Sequence, residues 1–585
     1  MSAMPAPRLP AVSITSRLLQ ALNDAGEERR VQEGIALLDR LDCKQITLSA
    51  LGAVQAPFLL CLAQWVDLGY ESPHLIDELL QQLPLEHRAQ LRLRDFLMVR
   101  MAEAFAAMAH EDTDRAIDLL AFVLGAEREL GSEHLSALAH FWKGRAHRKK
   151  GEYQKASEDI VAARQLAQHL ELKKLAAAIQ IQEAWLAFQR AEPKEAWSLL
   201  DQAEEQLRST DDDISLGNIS SARGRIVRRT GEYAESLVHY DRAVKIYQRH
   251  NADHRNLART LVNAAYVKRL LALNLRKQLD NPARGRPSSG SRASNGSGSV
   301  KRRYMAICHQ ALADLEEAGR IYALHEHHGG AGSVLVNGGH LHLELGDIER
   351  AAIEGAKAYE LAQSKHDLIL MARARILEAY AENSHVEEEL GEDANIATHA
   401  HQARRYAEEA VQVALQTQNR RLLASAYIVC GMVAASEFFR EWEEARRCET
   451  ESAALLRSYD RDHLGEELAI LKSKIMRSIG IDETLRAWSQ GVVGRKTFQQ
   501  MTEEFAEVVI PQVWLREGKK VSRVAARLSI SPKKVRRILR SVGVRITLAE
   551  DVHPFKIDRD SSIKPPLPTL FRAGESTTCK VRNLS

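Results

Sequence analysis

The chain is poor in cysteine and in bulky aromatic residues. Its six cysteines, Cys43, Cys61, Cys308, Cys430, Cys448 and Cys579, are scattered through 585 residues with no Cys-x-x-Cys pair. That argues against a disulfide framework and a zinc finger, and it fits a reducing, cytoplasmic setting. No apolar run approaches the roughly 18 residues needed to span a bilayer, so no membrane partner is expected. The first residues, "MSAMPAPRLPAVSITSR", lack the basic start and apolar core of a secretory signal. A large net charge is also missing, since 81 Lys and Arg oppose 78 Asp and Glu. No Gly-x4-Gly-Lys-Ser/Thr loop occurs, and "GVVGRKT" at Gly491 has the wrong glycine spacing. In "HEHHGG", His325, His327 and His328 have no carboxylate or Cys ligands at useful spacing. They read as a polar helix end before a Gly-Gly break. No Ser/His/Asp or Cys/His arrangement stands out. No cofactor, no metal and no enzymatic activity are expected, although an enzyme with an unrecognised site stays open as a weaker third class.

What the sequence does have is helix formers and a repeat. Aromatics are 5% of the chain, while Ala, Leu, Glu and Arg dominate. "GRAHRKKGEYQKASEDIVAA" from Gly144 matches "GRIVRRTGEYAESLVHYDRA" from Gly224. Gly144, Gly151, Tyr153, Ala156, Ile160 and Ala163 correspond to Gly224, Gly231, Tyr233, Ser236, Tyr240 and Ala243. Weaker copies run through Ala184, Ala191, Ala196, Leu200 and Ala203, and through Ala104, Ala116, Leu120 and Val123. Ala116, Ala156, Ala196 and Ser236 fall forty residues apart each time. Later copies read Gly339, Gly346, Ile348, Ala351 and Ala358, then more loosely Ala264 to Ala318, Ala379 to Ala414 and Gly431 to Ala453. Small residues at Gly144 and Ala156 let two helices approach closely, and Gly151 allows the turn between them. Each helix pair cannot bury its apolar face alone, so copies must stack.

This pattern resembles the tetratricopeptide repeat, with helices longer than its usual unit of about 34 residues. The resemblance implies an all-α, right-handed superhelical solenoid over residues 19–480, after a disordered 1–18. The stretch 281–303, "NPARGRPSSGSRASNGSGSVKRR", reads as a disordered insertion in this array. The alternative is a basic arm using Arg284, Arg286, Arg292, Lys301, Arg302 and Arg303 to touch nucleic acid or an acidic partner. In tetratricopeptide arrays the first helix of each repeat lines the concave surface. Carried over to this chain, that places Arg145, Arg148 and Lys149, Trp185 and Phe188, Arg225, Arg228 and Arg229, and Lys268 and Arg269 in the groove. Such a channel is expected to be strongly positive and to attract an acidic peptide, an acidic protein segment or a phosphorylated ligand.

Near the other end lies "KKVSRVAARLSISPKKVRRILRSVGV". Between Arg516 and Arg545 there are eleven basic residues and one acid, Glu517. Val521, Val524, Ala525 and Leu528 have helical spacing, as do Val535, Ile538, Leu539 and Val542. Ser531 suits an N-cap, Pro532 the first helical position, and Gly543 the helix end. The stretch 498–545 resembles the C-terminal helix-turn-helix of the Fis (factor for inversion stimulation) type, a module that closes many bacterial enhancer-binding regulators. Pro511 departs from it and predicts a kink or a late start in the preceding helix. The resemblance implies DNA as partner. Lys533, Lys534 and Arg537 would meet base edges, while Lys519, Lys520, Arg523, Ser531, Arg536 and Arg540 surround them near the phosphates. Residues 481–497 read as a linker, with Thr497 capping the next helix, and 546–585 as a disordered tail. The reading is a bacterial-type transcriptional regulator, a possible homodimer, with a sensing array and a DNA-reading tail. The alternative is an adaptor whose repeats bind protein and whose basic tail docks an acidic surface or RNA.

Overall fold

The computed structural model describes residues 16–41, 55–127, 132–280, 294–388, 395–457, 460–478 and 497–542. Contacts divide the chain into two compact units, one up to residue 492 and one from residue 493. Every regular element among the described residues is a helix, and none of these is long and apolar enough to cross a membrane.

The first unit is a stack of helical hairpins, an all-α solenoid of the tetratricopeptide kind. Its most regular hairpins pair Glu133–Lys150 with Tyr153–His169, Lys173–Arg190 with Pro193–Leu207, and Asp213–Arg229 with Tyr233–His250. Three further pairs are Arg255–Asp280 with Ser294–Leu324, His328–Leu345 with Ile348–Ser364, and Leu368–Glu388 with Ile396–Leu415. Arg420–Ala434 with Trp442–Leu455 is the last pair among the described residues, and His463–Ser478 follows it. From Lys173 onward the first helix of each hairpin also touches the first helix of the next.

The forty-residue period has a physical basis. Ala116, Ala156, Ala196 and Ser236 are all fully buried. A Cβ on Gly144 would come within 2.8 Å of the Ile160 side chain and 3.2 Å of the Ala156 carbonyl, so only glycine allows these helices their separation. The turns recur too. Gly151, Ala191, Gly231 and Gly346 follow the first helices of their hairpins with φ of 84°, 81°, 87° and 86°. Glycine adopts this left-handed conformation freely, and Ala191 adopts it under strain.

The stack coils far enough for successive turns to touch. Val31 and Gln32 N–H groups donate to the Asp211 carboxylate at 2.5 and 3.0 Å, so the helix Val31–Leu38 is capped from 180 residues away. Arg29 pairs with the fully buried Asp212 at 2.8 Å. Further along, Gly329 N–H donates to Glu111 at 3.1 Å, Gln418 N–H to Gly151 O at 2.9 Å, and Arg461 N–H to Arg229 O at 3.0 Å.

Three sequence expectations need correction here. The helix Ser16–Glu27 begins inside the segment read as disordered, because the buried stripe of Leu18, Leu19, Leu22 and Ala25 already starts there. Residues 294–303 of the expected disordered insertion are helical and extend Ser294–Leu324 toward its N-terminus. Adding residues to a formed helix needs no new nucleus. The Gly-Gly after His328 is no break, since the helix His328–Leu345 runs through it. Its glycines are packing devices, and a Cβ on Gly330 would lie 2.3 Å from the Tyr322 ring. The rest of the N-terminal segment, residues 281–293, the linker up to residue 496, Gly543 and the tail lie outside the described residues.

The described residues of the second unit form three helices, Phe498–Arg516, Val521–Leu528 and Pro532–Ser541. Ile510, Trp514, Val521, Val524, Ala525, Val535, Ile538 and Leu539 form its core. Thr497 and Gln500 make a reciprocal capping box. The first helix runs through Pro511 and does not start after it. Burial of Ile510 and Trp514 on either side of the proline holds this course.

Candidate functional site: an arginine-lined channel and a basic helix pair

The inner face of the solenoid carries two adjoining cavities of about 560 and 510 Å³. Both are bounded by Lys149, Trp185 and Arg259, so they are halves of one channel. Most of the lining comes from first helices, which present i, i+4 stripes to it. Arg145, Arg148, Lys149 and Trp185 line one half. Lys149, Trp185, Phe188, Arg225, Arg228, Arg229 and Arg269 line the other. Lys268 lines neither and pairs instead with Asp314 on the neighbouring helix at 2.6 Å.

The channel is less uniformly positive than the sequence suggests. Arg145 is held by both oxygens of Asp67 at 2.6 Å. Lys149 meets Glu111 at 3.1 Å, Arg228 meets Asp462 at 3.6 Å, and Arg269 meets Glu344 at 3.2 Å. Glu111, Asp67, Glu344 and Asp462 reach these cations from other hairpins, where no local pattern announces them. Arg229 lies 3.5 Å from the centre of the Phe188 ring and donates to the Phe188 carbonyl at 2.7 Å, so this side chain holds two hairpins together.

Other guanidiniums face the channel without an acid. Arg148 rests over Trp185, and its Nε has no acceptor. Burial, followed by the charges of Arg259, Arg225 and Arg145, pushes its pKa down to about 9. Arg225 Nε is likewise unsatisfied, and burial with the nearby Arg259 brings that guanidinium to about 10. Both remain cations at neutral pH. Arg259 donates to neutral amides, those of Asn218 and Asn256, each at 2.8 Å. Sequence reasoning missed Arg259 because it follows the small position of each repeat. A scan for cations on the stripe Arg255, Arg259, Asn263, Tyr266 would have found it.

Beyond Arg269 the lining mixes both signs, with Arg373, Arg421, His463 and Glu467. His463 donates to Glu467 at 3.0 Å, and Tyr380 donates to the same carboxylate at 3.2 Å. Burial opposes a charge on His463, but Glu467 and Glu466 raise its pKa to about 10. His327 is the opposite case, since burial outweighs Glu111 and takes it down to about 4. Its Nδ1 accepts from Gly330 N–H at 2.8 Å as a helix cap, with no metal-ligand set around it among the described residues.

In the second unit, Ser529 adopts φ 51° and Ile530 N–H donates to Ala525 O at 3.1 Å, which turns the chain sharply between the last two helices. Ser531 is spent on the cap, accepting from Lys534 N–H at 3.2 Å. Lys533, Lys534 and Arg537 are exposed on the last helix, and Lys519 and Arg523 are exposed near the middle one. Arg537 is within 3.5 Å of Glu503, and Lys519 lies 5.9 Å from the Trp514 ring centre. Lys520, Arg536 and Arg540 are half-buried against the unit.

No protein-family model and no curated protein matches the chain. Among solved structures, a Rap protein complexed with competence and sporulation factor aligns at 12% identity and TM-score 0.47, over 68% of this chain and 98% of that one. An IFIT1 monomeric mutant with Gppp-AAAA aligns at 12% identity and TM-score 0.41, over 75% and 88%. The apo quorum sensor NprR from B. thuringiensis aligns at 13% identity and TM-score 0.34, over 75% and 98%.

Proposed function

We propose that this chain is a DNA-binding regulator, not an enzyme, whose solenoid receives an acidic protein segment or peptide in its channel. The observation that carries this reading is the group Arg148, Arg225 and Arg259. These guanidiniums line the two halves of the channel with no carboxylate partner among the described residues. Burying a cation without a counter-charge costs stability, so such an arrangement persists where a ligand supplies the charge. Arg binds carboxylates in two-point fashion, which adds geometry to attraction. Occupation of the channel would draw the hairpins around the ligand and change the curvature of the stack.

The second unit is read as a helix-turn-helix that reports this change on DNA. Its short turn, capped last helix and exposed Lys533, Lys534 and Arg537 support that reading. Exposed Phe498, Phe505 and Leu515 offer an apolar edge for pairing two copies. A pair would address half-sites about 34 Å apart.

The test of the channel uses an oligoglutamate peptide as probe. The variant R148E/R225E is expected to keep the helical content of the parent and to lose peptide binding. Equal binding by the folded variant and the parent rejects the channel as the ligand site.

A further inference from the structure

The last hairpin carries a constellation that neither the channel nor the basic unit uses. Cys430 lies on Arg420–Ala434, and Cys448 lies on the facing helix Trp442–Leu455. Glu444 precedes Cys448 by one helical turn, so the two share a face. One sulfur or oxygen atom from each of the three side chains lies within 4.8 Å of the other two, the one such grouping among the described residues. Cys448 Sγ stands 3.7 Å from Glu444 Oε1. Gly431 makes this closeness possible, because a Cβ there would sit 3.1 Å from Cys448 Cβ and 2.7 Å from Leu471.

The 3.7 Å between Cys448 Sγ and Glu444 Oε1 matches an edge of a tetrahedron around a small cation. With metal–sulfur bonds of about 2.3 Å and metal–oxygen bonds of about 2.1 Å, the sulfur–oxygen edge is about 3.6 Å and the sulfur–sulfur edge about 3.8 Å. Cys448 is fully buried at the floor, while Cys430 and Glu444 are half-buried at the rim. Solvent therefore reaches one side, where a water can complete the coordination. Arg447 donates Nε to Glu444 Oε2 at 2.9 Å and its Nη2 to Oε1, which fixes the carboxylate from behind.

We propose that Cys430, Cys448 and Glu444 bind one thiophilic divalent cation of the zinc type, with Arg447 as the positioning residue. Charge selects the valence. Two thiolates and a carboxylate, offset by one guanidinium, leave two negative charges, which a divalent ion neutralises and a monovalent ion does not. Each thiol releases its proton to solvent on binding. The site ties the two helices of the hairpin together across Gly431. It is independent of the channel and of DNA.

The full chain, reduced and stripped with a chelator, is titrated with Co²⁺ and then Zn²⁺. One equivalent of Co²⁺ is expected to produce sulfur-to-cobalt charge-transfer absorption, to release protons, and to give way to Zn²⁺. C430A is expected to abolish the band, E444Q to weaken binding, and R447M to weaken it about tenfold. Cys430 and Glu444 are only half-buried and Arg447 is exposed, so circular dichroism should report folded variants. Absence of the band in the reduced parent rejects the site. So does stoichiometric binding that survives in C430A.

Discussion

The guanidinium of Arg148 lies 4.8 Å from the centre of the Trp185 ring, and its Nε meets no acceptor. An aromatic face compensates a buried cation only in part, by about 0.5–2 kcal/mol. The protein without ligand therefore carries an uncompensated charge at this point. Replacing it with an apolar chain of similar length, R148M, is expected to leave the thermal midpoint unchanged or to raise it, contrary to most core truncations. The gain should disappear when the parent is measured with saturating oligoglutamate. A clear fall in the midpoint of R148M would show that the arginine is a structural member of the stack.

For the second unit, position on the last two helices separates two kinds of cation. K533A/K534A/R537A is expected to lose discrimination between a selected duplex and a random one, by about 1–3 kcal/mol for each base contact removed. K519A/R523A is expected to weaken binding to both duplexes alike and to reduce the slope of log K against log salt by about 1 per phosphate contact. Fluorescence anisotropy at three salt concentrations distinguishes the two patterns. Unchanged discrimination in the triple variant removes the last helix from base reading.

Ala191 occupies a backbone conformation that the equivalent turns give to Gly151, Gly231 and Gly346. A191G relieves a left-handed penalty of about 1–2 kcal/mol and adds unfolded-state freedom of about 0.4–1 kcal/mol. The net expectation is a stabilisation of about 0.5–1 kcal/mol, read as a higher urea midpoint. Destabilisation would mean that the Ala191 methyl packs usefully enough to outweigh the strain.

His463 sets a pH dependence of known sign. Its pKa in the fold is raised to about 10 from an unfolded value near 6.5, chiefly by Glu467 against the effect of burial. Its contribution is complete below about pH 6.5 and is lost as pH rises toward 10. Glu466, held at about 2 first by the neighbouring His463, contributes above about pH 4.5 and loses that contribution on acidification toward pH 2. The difference in thermal midpoint between the parent and H463Q should therefore shrink steadily between pH 6.5 and 10. A constant difference across that range contradicts the pairing.

Much of the hairpin geometry was legible because it is local. Gly144 and Ala156 are twelve residues apart, and their contact is written into one repeat. The positive φ at Gly151 and Gly231 follows from residue type at a fixed offset. The paired state of the channel was not legible. Asp67 lies 78 residues before Arg145, and Asp462 comes from the following turn of the stack to reach Arg228. The cysteine pair escaped for a related reason. Cys430 and Cys448 sit on two helices whose spacing is set by Gly431, not by a Cys-x-x-Cys loop. The helix through residues 294–303 was hidden by a Gly/Ser-rich composition that ordinarily reads as linker.

The bonds between turns have a mechanical consequence. In an open repeat array each unit feels only its neighbours, and the array stretches as a soft spring. Here Gly151 and Gln418 are joined backbone to backbone, as are Arg229 and Arg461. A pull on the ends must first shear these links, so extension should begin with a stiff response and yield abruptly.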